Sequence, residues 1–317
     1  MAKVRLADIA KVAGVSAVTV HNAITGQKGV SDEMRARILE IAKEMGYRQP
    51  GSGARNTQGK SLRCIGVVIP ERYLAEYTTF YWKMYQEMAL AATEKSCMVT
   101  VEILKQEMED EMIVPCIAKE QTVDALILMG DTSRDYIHYL KKNVDLPIAD
   151  NFHGMYLMTE YLYEHGLTKL AFVGSIHFSS SIMDRYCGFS KAVLEHRDVT
   201  PAEWILEDRD ERGQIEIHLP EQMPEAFVCN CDLTAGLLML ELEKRGISVP
   251  EDVSIVGFDN YLYPGFPDLK ITSYEINTKA MVKVALEKAL KQIRGAASGK
   301  NMEIVSGQLV PKESVKL

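Results

Sequence analysis

Apolar positions at the start of the chain recur at helical spacing in three short blocks. Leu6, Ile9, Ala10 and Ala13 fall on one face of a first helix, and Val20 and Ile24 repeat the pattern four apart in a second. Gly14 can end the first helix in the left-handed conformation, and Ser16 can cap the free N–H groups that open the next. A third block places Ser31 as cap and Glu33, Met34, Ile38, Ile41, Ala42 and Met45 along a helix that leads to Gly46 and Tyr47. The spacing therefore predicts three helices closing a minimal core, the first two arranged as a helix-turn-helix.

From Leu62 onward the pattern changes. Short apolar runs at 65–69, 98–104, 125–129, 170–173, 226–229 and 253–257 read as buried strands, and helical patterns lie between them at 79–95, 155–165, 182–196 and 232–245. Strands alternating with helices predict parallel sheets joined by right-handed crossovers. No G-x-G-x-x-G follows the first strand, which disfavours a dinucleotide-binding enzyme. The stretch 49–60 is rich in glycine and polar residues and reads as a linker.

Charge divides the chain along the same boundary. Residues 1–60 carry ten Lys and Arg against five Asp and Glu, so a headpiece at +5 precedes a body at −13 within an overall charge of −8. That asymmetry suits contact with a nucleic acid by one end only. The six cysteines, Cys64, Cys97, Cys116, Cys187, Cys229 and Cys231, show no paired spacing beyond Cys229-x-Cys231, and no histidine completes a zinc set. Reduced thiols and no metal are expected. The first residues lack an apolar segment behind a basic start, and no run of about 18 uncharged apolar residues occurs later, so a cytoplasmic protein without a membrane segment is expected.

The N-terminal residues are similar to the signature of the LacI/GalR family of bacterial repressors. Leu6, Asp8, Ile9, Ala10, Ala13, Gly14, Val15, Ser16, Thr19, Val20 and Ile24 match it in register, followed by Val30-Ser31, Arg35 and Gly46-Tyr47. The body resembles the periplasmic-binding-protein-like effector domain of the same family at Asp124-Ala-Leu-Ile-Leu, Asp150-Asn151, His165-Gly166, Arg185-Tyr-Cys-Gly-Phe189, Cys229-Asn-Cys-Asp232 and Val249-Pro-Glu-Asp-Val-Ser-Ile-Val-Gly-Phe-Asp259.

The resemblance implies an all-α helix-turn-helix headpiece at 1–48, a hinge at 49–61 and a two-lobed α/β body at 62–317 with parallel sheets. The first lobe would run from about 62 to 166 plus 276–304, and the second from about 167 to 275 plus 305–317. Two departures stand out. In the hinge, Ala54-Arg55-Asn56-Thr57 has Thr where the family's minor-groove leucine belongs, and Gly51 and Gly53 each make a helix costlier by about 1 kcal/mol relative to alanine. In the body, the family places roughly twenty residues between the strand at Leu146-Pro-Ile148 and the Asp-Asn pair, whereas Ala149 and Asp150 follow here at once. Either the first lobe is trimmed or the sequence omits a segment.

The same resemblance assigns candidate site residues. Ala17, Val18 and Asn22 occupy base-contacting positions of the second helix; Asn can bond both edge atoms of adenine, while Ala and Val offer only apolar contact to a thymine methyl. Plain helix surface is the competing reading for all three. Lys3, Arg5, Ser16 and Thr19 suit phosphate contacts that set register, and Arg55 a phosphate or the minor groove. For a small molecule the candidates are Arg185 and Asp232, with Ser180, Phe80, Tyr81 and Phe178 beside them, because a guanidinium fork and a carboxylate suit adjacent hydroxyls and aromatics stack on sugar faces. Arg185 could instead pair with Asp184, Asp232 could cap its helix, and the aromatics could be core.

No catalytic motif such as G-x-S-x-G or H-E-x-x-H occurs, and neither an enzyme nor a cofactor is expected. The expected function is a dimeric, operator-binding transcriptional repressor controlled by a carbohydrate-like effector, without leucine heptads at 307–317 for a tetramerising tail. The alternative is a sugar-sensing module lacking a competent DNA switch, because the hinge leucine and part of the first lobe are missing.

Overall fold

A computed structural model of the chain describes residues 5–25, 29–45, 47, 63–74, 79–140, 147–210, 213–264, 268–295 and 303–317. Lys3, Gly46 and the linker 49–61 with Arg55 lie outside them. The chain separates into two compact units, 1–61 and 62–317.

In the first unit α1 (Leu6–Ala13), α2 (Ala17–Thr25) and α3 (Asp32–Glu44) bury Ile9, Ala10, Ala13, Val20, Ala23, Ile38 and Ala42 against one another. Gly14 ends α1 at φ 70° and returns its N–H to Ala10 O, as the left-handed cap requires. Arg35 on α3 donates through Nη1 to the carbonyls of Asn22 (3.0 Å) and Ala23 (2.9 Å), which satisfies the end of α2 and fixes the angle between the two helices.

The second unit has two lobes. The first contains β1 (Arg63–Pro70), α4 (Thr79–Glu94), β2 (Cys97–Leu104), α5 (Gln106–Asp110), α6 (Cys116–Lys119), β3 (Ala125–Leu128), α7 (Arg134–Leu140) and β4 (Pro147–Ala149). The second contains α8 (Asn151–Glu164), β5 (Leu170–Val173), α9 (Ser180–Glu195), β6 (Ile205–Leu206), β7 (Ala226–Cys229), α10 (Asp232–Lys244), β8 (Ser254–Asp259) and β9 (Thr272–Glu275). The chain then returns to the first lobe for α11 (Thr278–Ile293) and β10 (Glu303–Val305), and to the second for β11 (Gln308–Val310). Three crossings, near 150, 276 and 306, join the lobes.

The second lobe's sheet runs β11-β9-β8-β7-β5-β6 and is parallel except for β11, which pairs antiparallel with β9. The first lobe holds two separate pieces, β2-β1-β3 and β10-β4, and α11 packs on both β3 and β4. The strand expected to be buried at 98–104 is a half-exposed edge, with Met98 and Ile103 open to solvent.

The lobe boundary lies earlier than the sequence suggests. Helix α8 belongs to the second lobe, because it packs along α9 and against β7, β9 and β11. Gly188 on α9 explains the intimacy: a Cβ there would collide with the carbonyl oxygen of Phe152 on α8. The first lobe therefore ends near residue 149 rather than 166.

Candidate functional site

A cavity of about 1500 Å³ opens between the lobes at the C-terminal ends of their parallel strands, where open α/β sheets bind ligands. Its polar wall comes from the turn after β3 (Asp131, Thr132, Ser133), the start of α9 (Ser179–Ser181, Asp184, Arg185) and Arg209. Phe80, Tyr81 and Phe178 line it as well.

Arg185 is the best-anchored group in the wall. Its guanidinium donates to Asn151 Oδ1 (2.9 Å), Asn230 O (2.6 Å) and Asp259 Oδ1 (3.4 Å), and it lies 3.9 Å from the centre of the Phe258 ring. A guanidinium has five N–H donors, so these three bonds fix its plane while the head still borders the cavity. Asp259 ends β8 at φ 99°, a left-handed conformation that is strained for a non-glycine residue. Burial pushes the Asp259 carboxyl up to about 6, partly offset by Arg185 and Arg209.

A second anchored arginine stands nearby. Arg209 pairs bidentately with the fully buried Asp208, through Nε (3.0 Å) and Nη2 (2.6 Å), and its guanidinium lies 5.1 Å from the Phe178 ring centre. Asp208 also accepts from Ser175 N (2.8 Å), Thr234 Oγ1 (2.6 Å) and Asn230 Nδ2 (2.7 Å). Burial favours its neutral form, yet the Arg209 guanidinium and the three other donors win and hold the carboxyl at about 2.

One carboxylate spans the cleft. Asp131, of the first lobe, accepts through Oδ2 from Ser180 N (2.6 Å) and Ser180 Oγ (2.7 Å) at the first residue of α9. Arg72 holds the Asp131 carbonyl (2.5 Å) and is itself paired with the buried Glu109 (2.8 Å). Phe80 adds an aromatic link, its ring 5.7 Å from and nearly perpendicular to that of Tyr261 in the second lobe.

Of the residues expected from the sequence, Phe80, Tyr81, Phe178, Ser180 and Arg185 come together in the cleft. Arg185 pairs with Asp259 rather than Asp184. Asp232 requires correction. It is buried beneath the wall, accepting from Ser273 Oγ (2.7 Å) and Tyr261 N (2.8 Å), and it does not line the cavity. Gly257 leaves the room it occupies, since a Cβ there would meet its carboxylate. Burial first, and the neighbouring Asp259 second, push Asp232 up to about 8. Asn230, Asp259, Arg209 and Asp131 were not singled out from the sequence. The signal was position: each lies at or shortly beyond the C-terminal end of a strand.

In the headpiece, Ser16 Oγ accepts from Thr19 N (3.1 Å) and is 2.8 Å from Thr19 Oγ1, so both hydroxyls serve the N-terminus of α2. Ala17 and Val18 are exposed, Val18 by 68%, and Asn22 is half-buried on the same helix. Arg5 is exposed, and its N–H donates to Asp8 Oδ2 (2.7 Å). Among the described residues, no cluster of three His, Cys, Asp or Glu could hold a metal, and no helix is long and apolar enough to cross a membrane.

Comparison with known proteins gives matches to both units. Residues 5–49 match the family of bacterial regulatory proteins, lacI family, and residues 159–315 match the periplasmic binding protein-like domain. The HTH-type transcriptional repressor PurR of Aliivibrio salmonicida (strain LFI1238) is 25% identical, covering 97% of this chain and 98% of the relative. That of Histophilus somni (strain 129Pt) is 26% identical, with 98% of each covered. The alignment with the first runs over 330 positions against 317 residues, so at least 13 face gaps in this chain.

Among solved structures, the transcriptional regulator CelR-cellobiose complex superposes with a TM-score of 0.66 at 20% identity, covering 98% of this chain and 100% of that one. The lac repressor dimer bound to operator and the anti-inducer ONPF gives 0.65 at 20% identity, covering 99% of each. Both share the fold. The chain thus joins a headpiece of the lacI family of bacterial regulatory proteins to a periplasmic binding protein-like domain, and over nearly all of its length it is similar to PurR repressors.

Proposed function

We propose that this protein is a dimeric repressor that binds operator DNA through α2 and releases or tightens its hold when a small carbohydrate-like effector enters the cleft. The observation that carries the DNA half is the exposed face of α2, with Ala17 and Val18 open to solvent on a helix whose N-terminus is already capped by Ser16. Asn22 would read adenine and Val18 a thymine methyl, while Arg5 would hold a phosphate. Lys3 and Arg55, outside the described residues, are proposed for the same backbone role. A single headpiece with so few readers binds weakly, and pairing two of them on a symmetric site supplies the missing affinity.

For the effector half, Arg185 and Arg209 present fixed donors, Asp131 and Ser180 supply acceptor and hydroxyl, and Phe80, Tyr81 and Phe178 offer ring faces. That set suits adjacent hydroxyl groups, and the structurally similar CelR is a cellobiose complex. Selection of bound duplexes from a random pool by the full chain tests the reading. An enriched inverted repeat is expected, and an unenriched pool contradicts it. The hinge favours a second reading, a sensor without a DNA switch, because Thr57 replaces the apolar wedge. Under that reading the pool stays unenriched while sugars still stabilise the fold.

A further inference from the structure

The cavity is larger than a small sugar needs. Pockets that bury drug-sized ligands run from about 300 to 1,000 Å³, and this one holds about 1500 Å³. Much of its apolar lining comes from the first lobe. Beyond the polar mouth, the wall passes to Met84 and Met88 of α4, Ile127 of β3, Ala149 of β4, and Val282 and Ala285 of α11. Every one of these side chains is apolar.

The topology explains why the space is there. Among the described residues, β3 bonds to β1 on one edge and to no strand on the other, and β4 bonds only to β10. Helix α11 nevertheless lies across both β3 and β4. The sheet is thus interrupted between them while its covering helix is continuous. A parallel-sheet lobe normally fills that position with strand side chains. The cavity is lined from both sides of that interruption, by Ile127 of β3 and Ala149 of β4, with Val282 and Ala285 of α11, an apolar slot continuous with the cleft.

We propose that the effector is amphiphilic: a polyhydroxylated head held by Arg185, Ser180 and Asp131, with an alkyl or aryl substituent that enters the slot between β3 and β4. The proposal rests on the cleft being the effector site. An apolar cavity gains nothing from water and accepts apolar ligands. Each methylene transferred into it contributes about a fourfold gain in affinity. A free sugar would occupy the mouth and leave the slot empty.

The slot and the mouth are separable by experiment. The full chain is titrated with N-phenyl-1-naphthylamine, an uncharged aryl probe whose fluorescence rises in apolar surroundings, and then competed with methyl, butyl, hexyl and octyl glucosides. One probe per chain is expected, displaced about fourfold better for each added methylene up to the length of the slot. Ala285→Phe, which fills the slot, is expected to weaken probe binding at least tenfold, and Met84→Ala, which enlarges it, to shift the best competitor to a longer chain. Arg185→Ala is expected to keep the probe while losing any preference among head groups.

No probe binding, or binding indifferent to both Ala285→Phe and Met84→Ala in variants with wild-type circular dichroism, overturns the slot. Chain-length dependence without any effect of Arg185→Ala leaves the slot standing and overturns the polar head site instead.

Discussion

Asp131 of the first lobe caps the second lobe's helix α9, its Oδ2 accepting from both the N–H and the hydroxyl of Ser180. A carboxylate at a helix N-terminus is favoured by the helix dipole as well as by its hydrogen bonds. The two lobes are thereby tied at the cleft mouth by one side chain, on a turn held from behind by Arg72.

Removing that tie loosens the closed arrangement. Asp131→Ala is expected to speed amide hydrogen exchange at Ser180 and to weaken effector binding by about tenfold, a loss of roughly 1.4 kcal/mol for its two exposed charge-assisted bonds. Unchanged exchange at Ser180 would show that the lobes are held together by other contacts.

Arg185 binds three groups of its own lobe, so its replacement affects folding as well as ligand. Arg185→Ala leaves Asp259 buried without its cation and is expected to cost about 3 to 5 kcal/mol of stability. The response of operator binding to effector is expected to vanish while operator affinity itself is retained. A mutant that still responds would place the effector elsewhere. Arg185→Lys is no rescue, because an ammonium cannot reproduce the planar fork.

The buried carboxyls set the pH dependence. Asp232 and Asp259 have folded-state values raised to about 8 and about 6, above the ordinary 3.8, so the folded chain holds protons that the unfolded chain has released. Stability therefore falls as pH rises from about 4 toward 8 on account of these groups. Asp208, lowered to about 2, contributes stability above about 3.8 that is lost only as pH drops toward 2. The melting temperature is expected to decline from pH 6 to pH 8, and Asp232→Asn, fixed in a neutral form, is expected to show a smaller decline. An equal decline in both proteins would remove Asp232 as a cause.

Close packing of α8 on α9 depends on Gly188, where a side chain meets the Phe152 carbonyl. Gly188→Ala is expected to destabilise the body by about 1 to 3 kcal/mol, the usual cost of overpacking, despite alanine's better helix propensity. A more stable variant, by chemical denaturation, would mean that the two helices can separate freely.

In the headpiece, Asn22→Ala is expected to relax preference at one operator position by about 1 to 3 kcal/mol, whereas Arg5→Ala weakens all sequences alike and lowers the salt slope by about 1. Unchanged selectivity in the first variant would leave Asn22 as ordinary helix surface.

Much of this was legible in the sequence, for physical reasons. The 3.6-residue spacing of Leu6, Ile9, Ala10 and Ala13, with Gly14 as stop, specifies α1 locally, and the alternation of apolar runs with helical patterns specifies the α/β body. Arg185 is legible because it stands in Arg185-Tyr-Cys-Gly-Phe189, a stretch that resembles the family's motif near the helix-opening end of an αβ unit, where clefts bind ligands. Asp232 misled because the same local position was occupied by a residue whose side chain turns inward to Ser273, a partner 41 positions away. The lobe boundary was misplaced because the packing that assigns α8 to the second lobe is between Gly188 and Phe152, a contact no local pattern reveals. The interrupted sheet has no local signature beyond an abrupt run from Ile148 to Asp150.

The central claim is that the basic headpiece grips DNA phosphates through an exposed reading helix. Its most direct test is the dissociation constant of the full chain for its selected duplex, measured from 50 to 200 mM salt. Six to ten phosphate contacts predict a loss of affinity of about 10³ to 10⁵ over that range, linear on logarithmic axes. Affinity that does not change with salt would contradict the account.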